Sequence, residues 1–326
     1  MNHRAFLVAA LSALAVLAAP AAAHAGLTGQ PKPAAPVVAR IQKAVNDILG
    51  SGDLGRARPD LLLAVEDNAW ADLTDLLAVV VRDDTVYDGL AATLEEAVTT
   101  EKKDAARQRF VRYNLARLHL LRARQSLRGA GGPREALARA ESAARKLADE
   151  SARTRDAGAL ELLGDILVEQ SRLDDARAAY ERIGASDRPA PAAYAQYKIG
   201  QMYQRALQPG LAEAAYRKAI TTANAAGDAP PELVHALYQN LAAVYVKRAN
   251  YAAATDALLR SARISAPDAA ATFRPRTDVA QTLLDLGYAR EVQSYAALAL
   301  RLSPDDGTLR KLQRDAAGRA RTPGRR

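Results

Sequence analysis

The sequence is poor in histidine and cysteine, two residue types that enzymes often use as bases, nucleophiles or metal ligands. It has four histidines and no cysteine, and only His119 and His235 lie beyond residue 25. Serine-type catalysis needs a histidine held between a nucleophile and an acid, and a dedicated transition-metal site needs several histidine or cysteine ligands. Two isolated histidines fit ordinary structural roles better. We therefore predict no catalytic residue, no metal site and no cofactor.

Two further motifs have structural explanations. The glycine-rich stretch at 129–132 lacks the Gly-Lys-Ser/Thr that a phosphate-binding loop requires, so we interpret it as a loop between helices. The carboxylate pairs Asp174-Asp175 and Asp305-Asp306 occur at predicted turns, where acids commonly cap helices. An enzyme that works with carboxylates alone is an alternative, and it would need two acids about 5–10 Å apart in a deep cleft.

The first 25 residues have the order of a secretory signal peptide. Arg4 precedes an apolar run from Ala5 to Ala19, and Ala23-His24-Ala25 has the small-x-small pattern of a cleavage site. The apolar run is shorter than the roughly 20 residues of a membrane-spanning helix. We therefore expect an exported protein, periplasmic or alternatively extracellular, with a flexible linker at 26–36 and no integral membrane segment.

The formal charge of +8 is concentrated at the end of the chain. Residues 307–326 hold seven bases and one acid, and we predict that they form a disordered basic tail. Such a tail could bind an anionic surface through charge attraction. Outside the cytoplasm, lipid headgroups, polysaccharide or an acidic partner are more available than nucleic acid. A solvated end that aids solubility is an equal alternative.

Two blocks of opposite charge lie in the N-terminal half. Residues 60–101 hold eleven acids and one base, whereas residues 102–128 hold nine bases and one acid. We expect the two blocks to neutralise each other, because adjacent elements usually pack together. The alternative is a bipolar surface that steers charged partners.

The strongest signal is internal self-similarity. Gly164, Gly200, Ala242 and Ala280 anchor four copies of one pattern, at spacings of 36, 42 and 38 residues. An apolar residue precedes each anchor, a large one stands three places after it, and small or apolar residues recur twelve, sixteen and nineteen places after it. The first three positions share a face of one helix, and the last three share a face of a second helix. The pattern predicts stacked antiparallel helix pairs in which the small anchor lets two helices approach closely.

Upstream of residue 157 the pattern weakens. A periodic helix over 109–128 and an alanine-rich helix over 134–147 are interpreted as a degenerate helical-pair repeat at 104–156. Residues 37–103 show further helical segments without a clear period. We interpret them as an N-terminal helical cap, since a terminal repeat needs a more polar outer surface.

The pattern resembles the tetratricopeptide repeat, a helix-turn-helix unit of about 34 residues. The small residues at the anchors and twelve places later, the large residues sixteen places later, and Pro304 match that family's pattern. The resemblance covers residues 157–306, with units at about 157–190, 193–226, 235–268 and 273–306. It implies an all-α fold, a right-handed solenoid of helix pairs.

In this family the first helices of the pairs line a concave groove in which partner peptides bind. The resemblance implies groove positions at Glu161, Asp165, Glu169, Tyr194, Tyr197, Gln201, Gln204, Arg205, Gln239, Lys247, Arg274 and Gln281. Tyrosine and arginine are typical anchors of binding surfaces. Asn240 and Arg274 match two places of a clamp for a peptide carboxylate that some members have. Tyr197 and Asp278 stand at two other places of that clamp, so we do not assign it.

The sequence thus favours a non-enzymatic scaffold or adaptor of the cell envelope or of secretion machinery, which binds a protein or peptide through the groove. This expectation follows from the architecture that the resemblance implies. The alternatives are an accessory subunit of an envelope enzyme complex and a binder of polyanions or membrane surfaces that acts through the basic tail.

Overall fold

A computed structural model describes residues 84–100, 105–126, 133–154, 156–185, 189–227, 229–264 and 273–321. Within these ranges the chain forms twelve α-helices and no β-strand, which confirms the predicted all-α class. Helices α1 to α12 span Asp84–Thr100, Ala105–Ser126, Arg134–Thr154, Ala157–Glu169, Leu173–Gly184, Pro189–Arg205, Pro209–Ala226, Pro231–Lys247, Tyr251–Arg263, Thr277–Asp285, Ala289–Leu302 and Gly307–Arg321. None of these helices is long and apolar enough to span a bilayer. The predicted signal peptide, linker and most of the predicted cap lie outside the described residues.

The chain divides into two compact units, and the division between Ala179 and Tyr180 falls within α5. In the first unit, α1 packs on α2, α2 on α3, and α3 on α4. In the second unit, the pairs α6/α7, α8/α9 and α10/α11 follow one another, and α12 packs on α11. The first helices of these three pairs are neighbours, because α8 contacts both α6 and α10.

The small-large pattern forms the core as predicted. All four anchors are buried, as are the residues directly before them and those twelve, sixteen and nineteen places after them. Only Tyr203 and Tyr245, three places after the second and third anchors, are half-buried. The repeated burial therefore confirms a tetratricopeptide-like packing of helix pairs.

The four turns inside the helix pairs share one backbone geometry. The residue seven places after each anchor has a left-handed φ, namely 61° at Ser171, 57° at Leu207, 55° at Ala249 and 93° at Gly287. In each turn the next backbone N–H donates to the carbonyl three places after the anchor, at 2.9–3.0 Å. This closure satisfies a carbonyl at the end of the first helix. Only the fourth turn places glycine, the residue best suited to this conformation, at the left-handed position.

We expect Ala249→Gly to raise the free energy of unfolding by about 0.5–1 kcal/mol. Relief of the left-handed strain, worth about 1–2 kcal/mol, outweighs the extra backbone entropy that glycine loses on folding, which is about 0.5–1 kcal/mol. Urea unfolding followed by circular dichroism measures the difference. The matched control is Ala214→Gly at an exposed site inside α7, which should lower stability by about 1 kcal/mol. A loss of stability at both sites would contradict the strain argument.

The C-terminal segment differs from the predicted disordered tail at 307–326. Residues Gly307–Arg321 form α12, in which Leu309, Leu312 and Ala316 are buried. Their spacing gives the helix an apolar stripe, which the high count of arginines in the segment obscured. Asp306 Oδ1 accepts hydrogen bonds from the backbone N–H groups of residues 308 and 309 and so caps the helix, as predicted for this acid pair.

The basic block pairs with acids that follow it in the chain. Arg112 contacts Glu150 at 2.7 Å, and Arg124 contacts Glu169 at 2.7 Å. Arg109 reaches Asp156 at 2.8 Å. We expected the preceding acidic block to neutralise these bases. These three arginines of α2 instead pair with acids in or next to α3 and α4, because α2 packs directly on α3. Most of the acidic block lies outside the described residues.

Candidate functional site

Five of the predicted groove residues lie on α6 in the second unit. This α6 row consists of Tyr194, Tyr197, Gln201, Gln204 and Arg205. Tyr194 is buried, Tyr197 and the two glutamines are half-buried, and Arg205 is exposed. Positions four apart on a helix share a face, so the row runs along one side of α6. Its buried end is at Tyr194 and its exposed end at Arg205.

Hydrogen bonds fix the side chains of the row. Gln201 Nε2 donates to the Tyr197 hydroxyl at 2.7 Å, and the Tyr216 hydroxyl from α7 donates to Gln204 Oε1 at 2.9 Å. Each bond uses only one end of a side-chain amide, which has both donor and acceptor groups. Gln201 can therefore still accept a hydrogen bond through Oε1, and Gln204 can still donate through Nε2.

Three tyrosine rings support this arrangement. The ring centroids of Tyr194 and Tyr197 are 6.1 Å apart, and those of Tyr197 and Tyr216 are 6.2 Å apart, with tilted planes. Such spacings are favourable for aromatic pairs. The rings give the row a rigid apolar base, so its polar groups are held in place before any partner arrives.

The charges of two arginines act on the Tyr216 hydroxyl. Burial raises the pKa of Tyr216 well above its usual range, and the neighbouring Tyr197 adds to this, while Arg276 and Arg205 oppose it. Arg276 is held in position by two hydrogen bonds to the Asp278 carboxylate, at 2.7 and 2.8 Å. Its backbone N–H also donates to the Tyr295 hydroxyl at 3.1 Å. The phenol of Tyr216 therefore stays protonated and keeps its hydrogen bond across the physiological pH range.

Tyr216 and Arg276 were not predicted as site residues. Tyr216 stands at a core position of the repeat, and its ring is indeed buried. Arg276 immediately precedes α10 and has no place in the repeat pattern. The spacing rules gave no signal that the hydroxyl of the first would bond to Gln204 of the α6 row or that the charge of the second would act on that hydroxyl.

The three acidic candidates belong to the first unit. Glu161 is buried, and Asp165 and Glu169 are half-buried on α4. Glu169 is engaged with Arg124 of α2 at 2.7 Å. Desolvation raises the pKa of Tyr113 on α2 to about 12, with Arg117 opposing the shift and Glu161 adding to it. Acids and bases thus face each other between α2 and α4, which differs from the uncharged tyrosine and glutamine surface of the α6 row.

The remaining four candidates do not gather with the α6 row in any contact that we observe. Gln239 is buried, and its Nε2 has no hydrogen-bond partner. Lys247 is exposed at the end of α8. Arg274 is exposed and donates to the Phe273 carbonyl at 3.0 Å, whereas Gln281 donates to Asp285 Oδ1 at 3.0 Å. Their role in binding stays a prediction.

The two histidines occupy packed positions in different units. His119 is buried, and its Nδ1 is hydrogen-bonded to the Tyr87 hydroxyl at 2.8 Å. His235 is buried with its ring edge-on to Phe273 at 5.1 Å, and neither ring nitrogen has a hydrogen-bond partner. Burial lowers the pKa of His235, although the backbone of Ser261 lies close enough to oppose this shift. Within the described ranges we find no group of acids and histidines able to hold a metal ion.

No family model matches the chain, and no curated protein matches its sequence. Among solved structures, BtubC from P. vanneervenii is 16% identical, with 74% of this chain and 95% of that chain covered, at a TM-score of 0.43. NprR, solved in complex with its cognate peptide NprX, is 12% identical over 88% of this chain and 84% of that chain, at 0.39. The APC/C hetero-tetramer Cut9-Hcn1 is 14% identical over 85% and 63%, at 0.30. These scores are low, so the fold assignment rests on the helix pairs themselves.

Proposed function

We propose that the protein is a non-enzymatic interaction scaffold that binds an extended segment of a partner protein along the first helices of the second unit. The observation that carries this proposal is the α6 row, in which aromatic and amide side chains are half-buried and fixed by hydrogen bonds. Surfaces of this kind lose little side-chain entropy on binding, which favours affinity.

The chemistry of the row suits a peptide backbone. An extended segment presents alternating N–H and C=O groups that need partners. Gln201 Oε1 can accept from a backbone N–H, and Gln204 Nε2 can donate to a carbonyl. The half-buried ring of Tyr197 offers flat apolar area beside these amides, and Arg205 adds a cation at the exposed end of the row. The partner segment should therefore combine an apolar side chain with a nearby acid.

We propose that this scaffold acts in the cell envelope. Residues 1–25 have the pattern of a secretory signal, and an adaptor of envelope or secretion assemblies is the role that fits an exported repeat protein. N-terminal sequencing of the protein recovered from the periplasm or medium tests this part separately. A chain that stays in the cytoplasm with its first 25 residues intact would refute the location but not the binding role.

Tyr197→Ala and Gln201→Ala should each weaken peptide binding tenfold or more. Truncating an anchored aromatic or the amide bonded to it removes contacts of the size seen at binding hot spots, about 1–2 kcal/mol or more. Peptides selected from a random display library against the full chain provide the ligands, and fluorescence anisotropy measures their dissociation constants for each variant.

The control for this experiment is Lys218→Ala. Lys218 is exposed on α7, the second helix of the same pair, and should leave the dissociation constants unchanged. Circular dichroism checks that all three variants fold. Selected peptides that bind the Tyr197 and Gln201 variants as tightly as the wild type would show that the α6 row is not the binding surface.

A further inference from the structure

Three buried polar residues of the α8/α9 pair carry side-chain atoms that have no hydrogen-bond partner in the described part of the chain. They are His235, Gln239 and Ser261, which are exposed by only 2%, 6% and 0%. The atoms concerned are both ring nitrogens of His235, Gln239 Nε2 and Ser261 Oγ. A buried polar atom without a partner is costly, and native proteins rarely keep one. We call these three residues the polar trio.

The polar trio lies at one place in the core of the second unit. His235 and Gln239 are four residues apart on α8, so they share one face of that helix, with Cβ atoms about 5–6 Å apart. Ser261 is on α9, which packs against α8. Burial lowers the pKa of His235, and the backbone of Ser261 lies close enough to the imidazole to oppose this shift. The unpaired atoms therefore cluster near the start of α8 and the end of α9.

The repeat does not require polar side chains at two of these places. His235 stands seven places before its anchor, and Ser261 stands nineteen places after it. In the other three pairs both places hold apolar residues, which are Ala157, Ala193 and Phe273 at the first and Ile183, Ala219 and Ala299 at the second. Packing of the helix pairs thus leaves the polarity of this cluster unexplained, and a specific hydrogen-bonding role explains it better.

Ser261 also differs from other hydroxyl residues inside the helices of the second unit. The Thr255 hydroxyl, on the same helix, donates to the Ala252 carbonyl at 2.8 Å, and the Ser294 hydroxyl donates to the Arg290 carbonyl at 3.0 Å. A bond to the preceding turn is a common way to satisfy a helical hydroxyl. Ser261 is more deeply buried than either residue and makes no such bond. Its hydroxyl is therefore available to a partner outside its own helix.

We propose that the polar trio is a binding site for one buried water molecule, which links α8 to α9. Such a water can accept from Gln239 Nε2 and donate to Ser261 Oγ and to the unprotonated ring nitrogen of His235. Buried waters typically make about three bonds of this kind to groups that would otherwise be unpaired. Because the polar trio is uncharged and almost fully enclosed, water is a better occupant than an ion or a larger organic ligand.

The first test is a high-resolution crystal structure of the full chain. It should show electron density for a water oxygen at about 2.7–3.2 Å from Gln239 Nε2, from Ser261 Oγ and from one ring nitrogen of His235. His119 is the matched control, because it is equally buried but its Nδ1 is already bonded to the Tyr87 hydroxyl at 2.8 Å. Density for a protein atom at the proposed place, or no density there, overturns the proposal.

The second test measures energetic coupling through the shared water. Ser261→Ala and Gln239→Met each remove one partner of the water with little change in volume. Each should lower the folding equilibrium constant about three- to tenfold in urea unfolding. For Ser261→Ala the reference is Ser294→Ala at an exposed helical site, which measures the helix-propensity gain of the same substitution.

The double variant should lose less than the product of the two single losses, because both residues bind one molecule. Thr255→Val combined with Gln239→Met is the control pair, and its losses should multiply, since the Thr255 hydroxyl is bonded within α9. A gain in stability from Ser261→Ala beyond that of Ser294→Ala, or uncoupled losses in the Ser261 and Gln239 pair, overturns the proposal. Gln239→Met should leave peptide binding at the α6 row unchanged, so this site and the proposed function are tested separately.

Discussion

Gly200→Ala is expected to destabilise the second unit by about 1–3 kcal/mol, although alanine normally favours a helix over glycine by about 1 kcal/mol. A Cβ atom on Gly200 would lie 2.5 Å from Cε1 and 2.6 Å from Cδ1 of Tyr216. The Tyr216 ring is fully buried, and its hydroxyl is hydrogen-bonded to Gln204 at 2.9 Å, so the ring has little freedom to withdraw. Urea unfolding followed by circular dichroism measures the loss.

The repeats themselves suggest how to rescue this variant. The two pairs whose anchor is glycine have tyrosine sixteen places later, whereas Ala242 is followed at that distance by Leu258. A smaller anchor is therefore accompanied by a larger residue sixteen places later, and a larger anchor by a smaller one. Adding Tyr216→Leu to Gly200→Ala reproduces the third repeat and should recover at least half of the lost stability, since residues in contact are energetically coupled.

Gly318→Ala is the matched control for Gly200→Ala. Gly318 is exposed inside α12, and a Cβ atom there would meet nothing within 4 Å. The substitution should stabilise the protein by up to about 1 kcal/mol through helix propensity alone. The same chemical change is thus expected to have opposite signs at two helical sites. If Gly200→Ala proves as stabilising as Gly318→Ala, the close approach of α6 and α7 is not as tight as the structure shows.

This pairing of small and large residues explains why the helix pairs were predictable from the sequence. An alanine or glycine at an anchor and a larger residue sixteen places later must meet if two helices pack antiparallel, so a local pattern specifies a tertiary contact. The turns keep the same register, since each left-handed residue lies seven places after its anchor. The C-terminal helix was missed because Leu309, Leu312 and Ala316 do not repeat the pattern, and the many arginines around them suggested disorder.

The candidate site was predictable only in part, for a related reason. The residues of the α6 row came from the repeat register together with the groove that the family resemblance implies. One hydrogen bond that fixes the row comes from Tyr216 of α7, and Arg276, whose charge opposes the rise in the pKa of Tyr216, comes from a segment outside any repeat position. Among the acids of α4, Glu169 pairs with Arg124 because α2 and α4 are neighbours in the fold, and the register did not indicate this pair. The register of the sequence predicts which residues share one face of a helix. It does not predict which side chains of neighbouring elements contact that face.

Acidification should destabilise the first unit through His119. Burial, helped by the charge of Arg139, lowers the pKa of His119 to about 4, whereas an unfolded histidine has a pKa of about 6.5. The folded state therefore favours the neutral imidazole. This contribution is fully present above pH 6.5 and is lost as the pH falls from about 6.5 to about 4, with a total of about 3 kcal/mol. Urea unfolding at a series of pH values measures the slope.

His119→Asn separates this effect from other acid-sensitive groups. Asparagine keeps a hydrogen-bonding atom near the place of Nδ1, so it can retain the bond to Tyr87 while removing the titration. The variant should be less stable at pH 7.5, because its smaller side chain leaves a cavity, yet it should lose less stability than the wild type between pH 6.5 and 4. Titration of the imidazole signals by NMR gives the pKa directly, and a His119 pKa near 6.5 in the folded protein would contradict the argument.

His235 is a second buried histidine, and burial lowers its pKa as well, but it lies in the other unit. Hydrogen exchange in α2 and in α8 therefore distinguishes the two contributions, because protonation of each histidine should loosen its own unit first.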